Sequence, residues 1–247
     1  AASRCLISTM SKSAILKVGF EAIYRSGAAK LMSPLWGGQG VIFCLHHVLP
    51  GGGMQQGFAP NTHLEITPEF LGKLILLVKS KGYDTISISE MADRLQRGTM
   101  SKNRFAVFTL DDGYKDNLVH AMPVFKQYDC PFTVYVAPRI ADGTCELWWR
   151  ILEAVIAKNS LVKTRFAGQE QNLETATTEQ KWDAWKKLAP PLQAMPEYAQ
   201  RDWVKRLAEN HGVDVDALCR TAAMTWDEIR LMARDPIATI GAHTLNH

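Results

Sequence analysis

Between residues 41 and 136, short apolar runs of strand length alternate with helix-patterned segments, and this alternation narrows the fold more than any other feature of the chain. Val41-Ile42-Phe43-Cys44-Leu45, Thr85-Ile86-Ser87-Ile88, Phe105-Ala106-Val107-Phe108-Thr109-Leu110 and Phe132-Thr133-Val134-Tyr135-Val136 read as strands. Between them, Thr67 and Pro68 open a helix with Phe70, Leu71, Leu74, Ile75 and Val78 on one face, and Gly82 closes it. Shorter helices are expected at residues 91–95 and 117–128, the latter interrupted by Pro123. Such alternation predicts a parallel sheet or barrel, in which chemistry collects at the carboxyl ends of the strands. His46, Asp111 and His243 each follow a strand end, so all three are expected on one rim.

A chain of 247 residues, 47% of them apolar, is long enough for one large α/β domain. The expected division is residues 1–40 as an N-terminal helix and linker, then residues 41–247 as the main domain. A net charge of +3 without a long basic run requires no nucleic-acid partner. Five scattered cysteines without a C-x-x-C pair point to free thiols, a reducing compartment and a cytoplasmic location. No apolar run reaches the roughly 20 residues that span a bilayer. Residues 12–33 have the pattern of one basic amphipathic helix, readable either as a membrane-surface contact or as a helix packed on the main domain.

The alternation stops between residues 140 and 223. Trp148, Trp149, Trp182, Trp185 and Trp203 recur there among charged residues at helical spacing, which predicts an insertion of two or three helices with little strand. The tryptophans either fill the core of that insertion or contact a sugar ring. The main fold resumes at Thr225-Trp226-Asp227-Glu228, a capping box, and Asp235-Pro236 ends that helix before a last strand.

Two adjacent carboxylates, Asp111 and Asp112, repel each other, and such a pair implies a cation or a chemical task. At the far end of the chain His243 and His247 stand four apart. Asp112, His243 and His247 together make a two-histidine, one-carboxylate set, the kind that holds a catalytic divalent ion with one position open. An ion there lowers the pKa of its water toward about 7, and Asp111 beside it suits the role of general base.

With these residues in view, the chain resembles the polysaccharide deacetylases of the NodB-homology type, carbohydrate esterase family 4. The family's first motif, T-F-D-D-G, is matched from Thr109 to Gly113 with Leu110 in place of Phe. Its second, H-[S/T]-x-x-H, is matched in full by His243-Thr244-Leu245-Asn246-His247. The resemblance implies a distorted (β/α)7 barrel and hydrolysis of an N-acetyl group from an N-acetylhexosamine oligo- or polysaccharide. It implies Asp111 as base and a divalent metal on Asp112, His243 and His247, Zn2+ first and Co2+, Mn2+ or Ni2+ as alternatives. Cys44-Leu45-His46-His47-Val48 resembles the Y-H-x-V stretch on the first strand of the subgroup that deacetylates poly-N-acetylglucosamine, which implies His46 as the general acid, with Leu45 replacing the aromatic residue and His47 as a rival; the other reading is that His46 only orients loop residues.

The resemblance covers residues 41–140 and 224–247. The family's later motifs, which carry an arginine that tunes the base and an oxyanion donor, would follow His247, so the expectation is a shortened version of a longer enzyme with an incomplete barrel. Two other readings stand beside the deacetylase: an amidase acting on a small cyclic amide or imide, and an inactive glycan-binding fragment.

Overall fold

The computed structural model describes residues 12–36, 38–53, 57–98, 104–144, 147–166 and 168–245. The chain divides into two compact units, residues 1–41 and 42–247. In the first, helices α1 (Lys12–Arg25) and α2 (Ala28–Trp36) replace the single helix expected over residues 12–33. The break falls at Ser26 and Gly27, where Gly27 takes φ +75°, a left-handed conformation that ends a helix at little cost without a Cβ. Leu16, Phe20 and Ile23 of α1 lie on one face and are exposed. No helix among the described residues is long and apolar enough to cross a membrane.

The second unit holds the alternation. Strands β1 (Gly40–Leu45) and β2 (His47–Val48) lead to β3 (Glu65–Ile66) and helix α3 (Pro68–Ser80). Then come β4 (Asp84–Thr85), α4 (Ile88–Gln96), β5 (Phe105–Leu110), α5 (Met122–Gln127) and β6 (Phe132–Val136). The expected strand at residues 85–88 is shorter than its apolar pattern suggests, because the Ser87 side chain accepts the Glu90 N–H and starts α4 instead. Thr67 caps α3 in the same way.

A π turn, Asn117–Ala121, runs straight into α5, with the Met122 N–H reaching back to the Asn117 carbonyl. Pro123 lacks an N–H and cannot continue the α-helical ladder, and the widened turn absorbs that mismatch.

Helix α6 (Pro138–Ala141) then leads into the insertion, where α7 (Trp148–Lys158), β7 (Leu161–Phe166), β8 (Gln169–Glu174), α8 (Thr178–Gln193), α9 (Glu197–Asn210) and α10 (Val215–Ala222) follow one another. The expectation of little strand is corrected here: β7 and β8 pair antiparallel over all six residues. Gly168, at φ +81°, makes the tight turn between them. The insertion has its own core, in which Ile151, Leu152 and Ile156 of α7 meet Leu188 and Leu192 of α8 and Leu207 of α9. Helix α11 (Trp226–Met232), opened by the Thr225 and Glu228 capping box, returns the chain to β9 (Ala238–Ala242).

The main sheet runs β1-β5-β6-β9, with β4 also paired to β5. β5 joins β4 and β6 in parallel register, and β6 joins β9 likewise. All six residues of β5 are buried, as expected of a parallel strand covered on both faces. Phe125 of α5 stacks on Phe132 at 4.4 Å and meets Phe108 edge-on at 5.7 Å, fixing that helix over β5 and β6. The fold is therefore α/β with a parallel sheet and a mainly helical insertion, and the sheet formed by the described residues is open rather than closed into a barrel.

Gly241 in β9 packs against Tyr135 of β6 so closely that a Cβ would meet the Tyr135 ring at 2.5 Å. Replacing Gly241 with Ala should force the strand or the ring to move and lower stability by about 1–3 kcal/mol, the usual cost of overpacking. Thermal or denaturant unfolding of the Gly241→Ala protein measures this directly.

Candidate active site

The parallel register of β5, β6 and β9 puts their carboxyl ends on one edge, and the residues that follow emerge together there. After Leu110 the chain turns sharply: Asp112 has φ +73° and Gly113 φ +75°. Aspartate tolerates the left-handed region better than most residues. At Gly113 a side chain would also crowd Val136, with a Cβ at 3.2 Å from its nearest methyl.

The turn separates two neighbouring carboxylates. Asp112 is 1% exposed, whereas Asp111 is only partly covered. The Asp111 N–H is held by the Leu45 carbonyl at 2.9 Å, and its Oδ2 accepts a hydrogen bond from the Cys44 thiol at 3.1 Å. Burial, then the hydrogen bond and charge of Asp111, push the Cys44 thiol up to about 11, so at neutral pH it stays protonated and donates.

His243 is anchored by its own N–H on the Val136 carbonyl at 2.9 Å, and its Nε2 stands 3.5 Å from Asp112 Oδ1. Two ligands bound tetrahedrally at roughly 2.0–2.2 Å from one ion lie about 3.4 Å apart. The observed spacing therefore fits a shared divalent cation. His247, the third expected ligand, lies outside the described residues, and among the described residues no group of three histidines, cysteines or carboxylates is placed to hold a metal ion.

The two adjacent histidines separate as sharply as the two aspartates. His47 is buried, its Nδ1 shares a 2.7 Å hydrogen bond with Asp116 Oδ2, and its ring stacks on Tyr114 with centroids 3.7 Å apart. Asp116 Oδ1 also accepts the Val48 N–H at 2.8 Å. His47 is thus built into the wall of the fold. The Asn117 amide donates to the His46 carbonyl at 2.8 Å and fixes the chain there, while the His46 side chain lines a cavity of about 580 Å3 that it shares with Asp112.

Sequence alone assigns no role at the site to Asp116, Asn117 or Tyr114. They lie just past the Asp-Asp-Gly turn, and only the folded chain brings Asp116 against His47, 69 residues away. Tyr114 is fully buried, and desolvation, reinforced by the Asp112 charge, pushes its phenol well above the usual range. His63, given no role from sequence, lies on the wall of the same cavity with Nδ1 bonded to the Pro60 carbonyl at 3.0 Å. The tryptophans of the insertion divide. Trp149 and Trp203 are 8% and 9% exposed, while Trp148 and Trp185 are half-buried; Trp148, Trp149 and Trp185 all line the cavity.

Residues 99–247, more than half of the chain, match the family described as polysaccharide deacetylase. The chain belongs to that family. No curated protein sequence matches it. Among solved structures it is similar to a de-N-acetylase from Aggregatibacter actinomycetemcomitans, at 16% identity and a TM-score of 0.46 over 83% of this chain and 54% of that one. It is also similar to IcaB from Ammonifex degensii, at 17% identity and a TM-score of 0.44 over 84% of this chain and 54% of that one. The deacetylase domain of BpsB from Bordetella bronchiseptica aligns at 18% identity and a TM-score of 0.41, over 84% of this chain and 55% of that one. The chain thus spans about half the length of each of these structures.

A thiol raised to about 11 forms little thiolate at neutral pH, so alkylation of Cys44 in the folded protein should be slow near pH 7 and accelerate with each pH unit up to about 11. Mass-spectrometric labelling rates at Cys44, compared with the denatured chain, give the result.

Proposed function

We propose that the protein is a metal-dependent hydrolase that removes N-acetyl groups from an N-acetylhexosamine oligo- or polysaccharide. The observation that carries this reading is the 3.5 Å approach of Asp112 Oδ1 to His243 Nε2, with Asp112 and His46 lining one cavity and Asp111 next in the chain. Membership of the polysaccharide deacetylase family supports the same chemistry.

Asp112, His243 and His247 are the residues that would hold a divalent ion, Zn2+ or one of Co2+, Mn2+ and Ni2+. Such an ion supplies Lewis-acid chemistry, polarising an acyl oxygen and easing deprotonation of water at neutral pH. The rest falls to the chain's own side chains. Asp111 accepts a proton from the attacking water as its oxygen bonds to the acetyl carbon. Cys44 donates to Asp111 Oδ2 and so fixes the carboxylate plane, leaving the other oxygen to accept that proton. His46, on the cavity wall, gives a proton to the nitrogen as the C–N bond breaks, so that acetate and the free amine depart. His47 is unsuited to that exchange, since it is buried against Tyr114 and bonded to Asp116.

Acetate release from chitin oligosaccharides tests the reading. Asp111→Asn and His46→Ala should each lower kcat by about 10²–10⁴-fold, while a chelator should abolish turnover and added Zn2+ or Co2+ restore it. An Asp111→Asn protein of unaltered rate would remove Asp111 from the role of base.

A further inference from the structure

The cavity beside Asp112 is walled on its far side by the insertion, and its chemistry is uneven. Trp148, at the start of α7, and Trp185, in the middle of α8, have ring planes inclined by only 16° with centroids 6.5 Å apart. Both are half-buried at the junction of two buried clusters, and both line the cavity. Trp203 behaves differently: it lies within the insertion core with its indole N–H on the Arg165 carbonyl at 2.9 Å. Trp182 is likewise tied, its N–H on the Gly57 carbonyl at 3.2 Å. The lining also holds two side-chain amides, Gln193 and Gln200; the Gln200 Nε2 donates to the Leu192 carbonyl at 2.8 Å, leaving its oxygen to accept.

We propose that the insertion supplies a sugar subsite, in which Trp148 and Trp185 stack a hexosamine ring next to the one that reacts. The inference rests on the N-deacetylase reading above. A pyranose in its chair form carries C–H groups on its faces and hydroxyl and amide groups around its edge. Aromatic faces match the first, and side-chain amides match the second. The acidic and basic side chains among the described lining residues, imidazoles aside, are Asp112 and Lys186, and Lys186 has Asp183 3.5 Å away. That lining suits a neutral N-acetylated sugar rather than a polyanionic one. A volume of about 580 Å3 lies within the range of roughly 300–1,000 Å3 typical of ligand cavities. The substrate is then an oligomer, and a single N-acetylglucosamine lacks the ring that the tryptophans hold.

The test uses the full chain with Asp111→Asn, which slows turnover and changes none of the residues that line the cavity. Titration with tetra-N-acetylchitotetraose and with N-acetylglucosamine, followed by indole fluorescence and calorimetry, should show the tetramer binding at least about tenfold tighter than the monosaccharide. Trp148→Ala and Trp185→Ala should each weaken tetramer binding by about tenfold, the scale of one lost aromatic contact. Trp148→Phe and Trp185→Phe keep an aromatic face and should stay nearer the parent. Unchanged tetramer affinity in both alanine proteins overturns the proposal. If those proteins do not fold, equal affinity of the parent for monosaccharide and tetramer overturns it instead. Tetramer binding that depends on Trp148 and Trp185, with no acetate released by the unaltered protein, sinks the deacetylase reading alone. Acetate release with a KM indifferent to both alanine changes sinks the subsite alone.

Discussion

The site depends on a buried carboxylate brought within 3.5 Å of an imidazole by two strands that do not touch each other. β5 delivers Asp112 and β9 delivers His243, and β6 lies between them in parallel register with both. A shift of either register by one residue would turn successive side chains to the opposite face of the sheet and separate the pair. The packing of Phe125 on Phe132 and Phe108 and the close contact of Gly241 with Tyr135 are therefore part of the site's geometry as well as of the core.

Burying Asp112 to 1% exposure carries a desolvation penalty of several kcal/mol for its charge, which hydrogen bonds and positive partners must offset. Its left-handed backbone adds strain of order 1–3 kcal/mol. The fold retains both costs at one residue, as is common where a residue serves a site rather than stability. Asp111, one residue earlier, lies at the opposite extreme: ordinary strand-end position, partial exposure and a thiol donor. The left-handed turn at Asp112 and Gly113 is what lets two like charges adjacent in sequence occupy separate environments.

Much of this was legible in the chain because it is local. β5 announces itself as a continuous apolar run ending at two carboxylates, and Thr67 and Thr225 announce the helices they cap. His46, Asp111 and His243 could be placed on one rim from strand ends alone. What escaped was non-local or weakly patterned. β8, Gln-Glu-Gln-Asn-Leu-Glu, sends only Leu173 into the core and is otherwise polar, so its pairing with β7 rather than an apolar alternation defines it as a strand; Gly168 between two six-residue runs was the available signal. The family resemblance pointed to His46 over its rival His47, but the physical difference between them was not visible in sequence, because it turns on Asp116 and Tyr114, which only folding brings alongside His47. Nor could the tryptophans be sorted, since core and cavity positions share the same helical spacing.

The insertion and the sheet rim together line one cavity. The rim lends that cavity charge and imidazole through Asp112 and His46, with His243 standing 3.5 Å from Asp112. The insertion offers flat aromatic surface and amides on helices held by a separate core. A reacting group needs placement to within fractions of an ångström, which strand ends in a packed sheet provide. Gripping a sugar ring by its face tolerates more latitude, since dispersion and apolar contact have no sharp directional demand. Side chains on a helical layer can therefore differ in sequence pattern from the motifs at the rim without disturbing the geometry on which Asp111 and Asp112 depend.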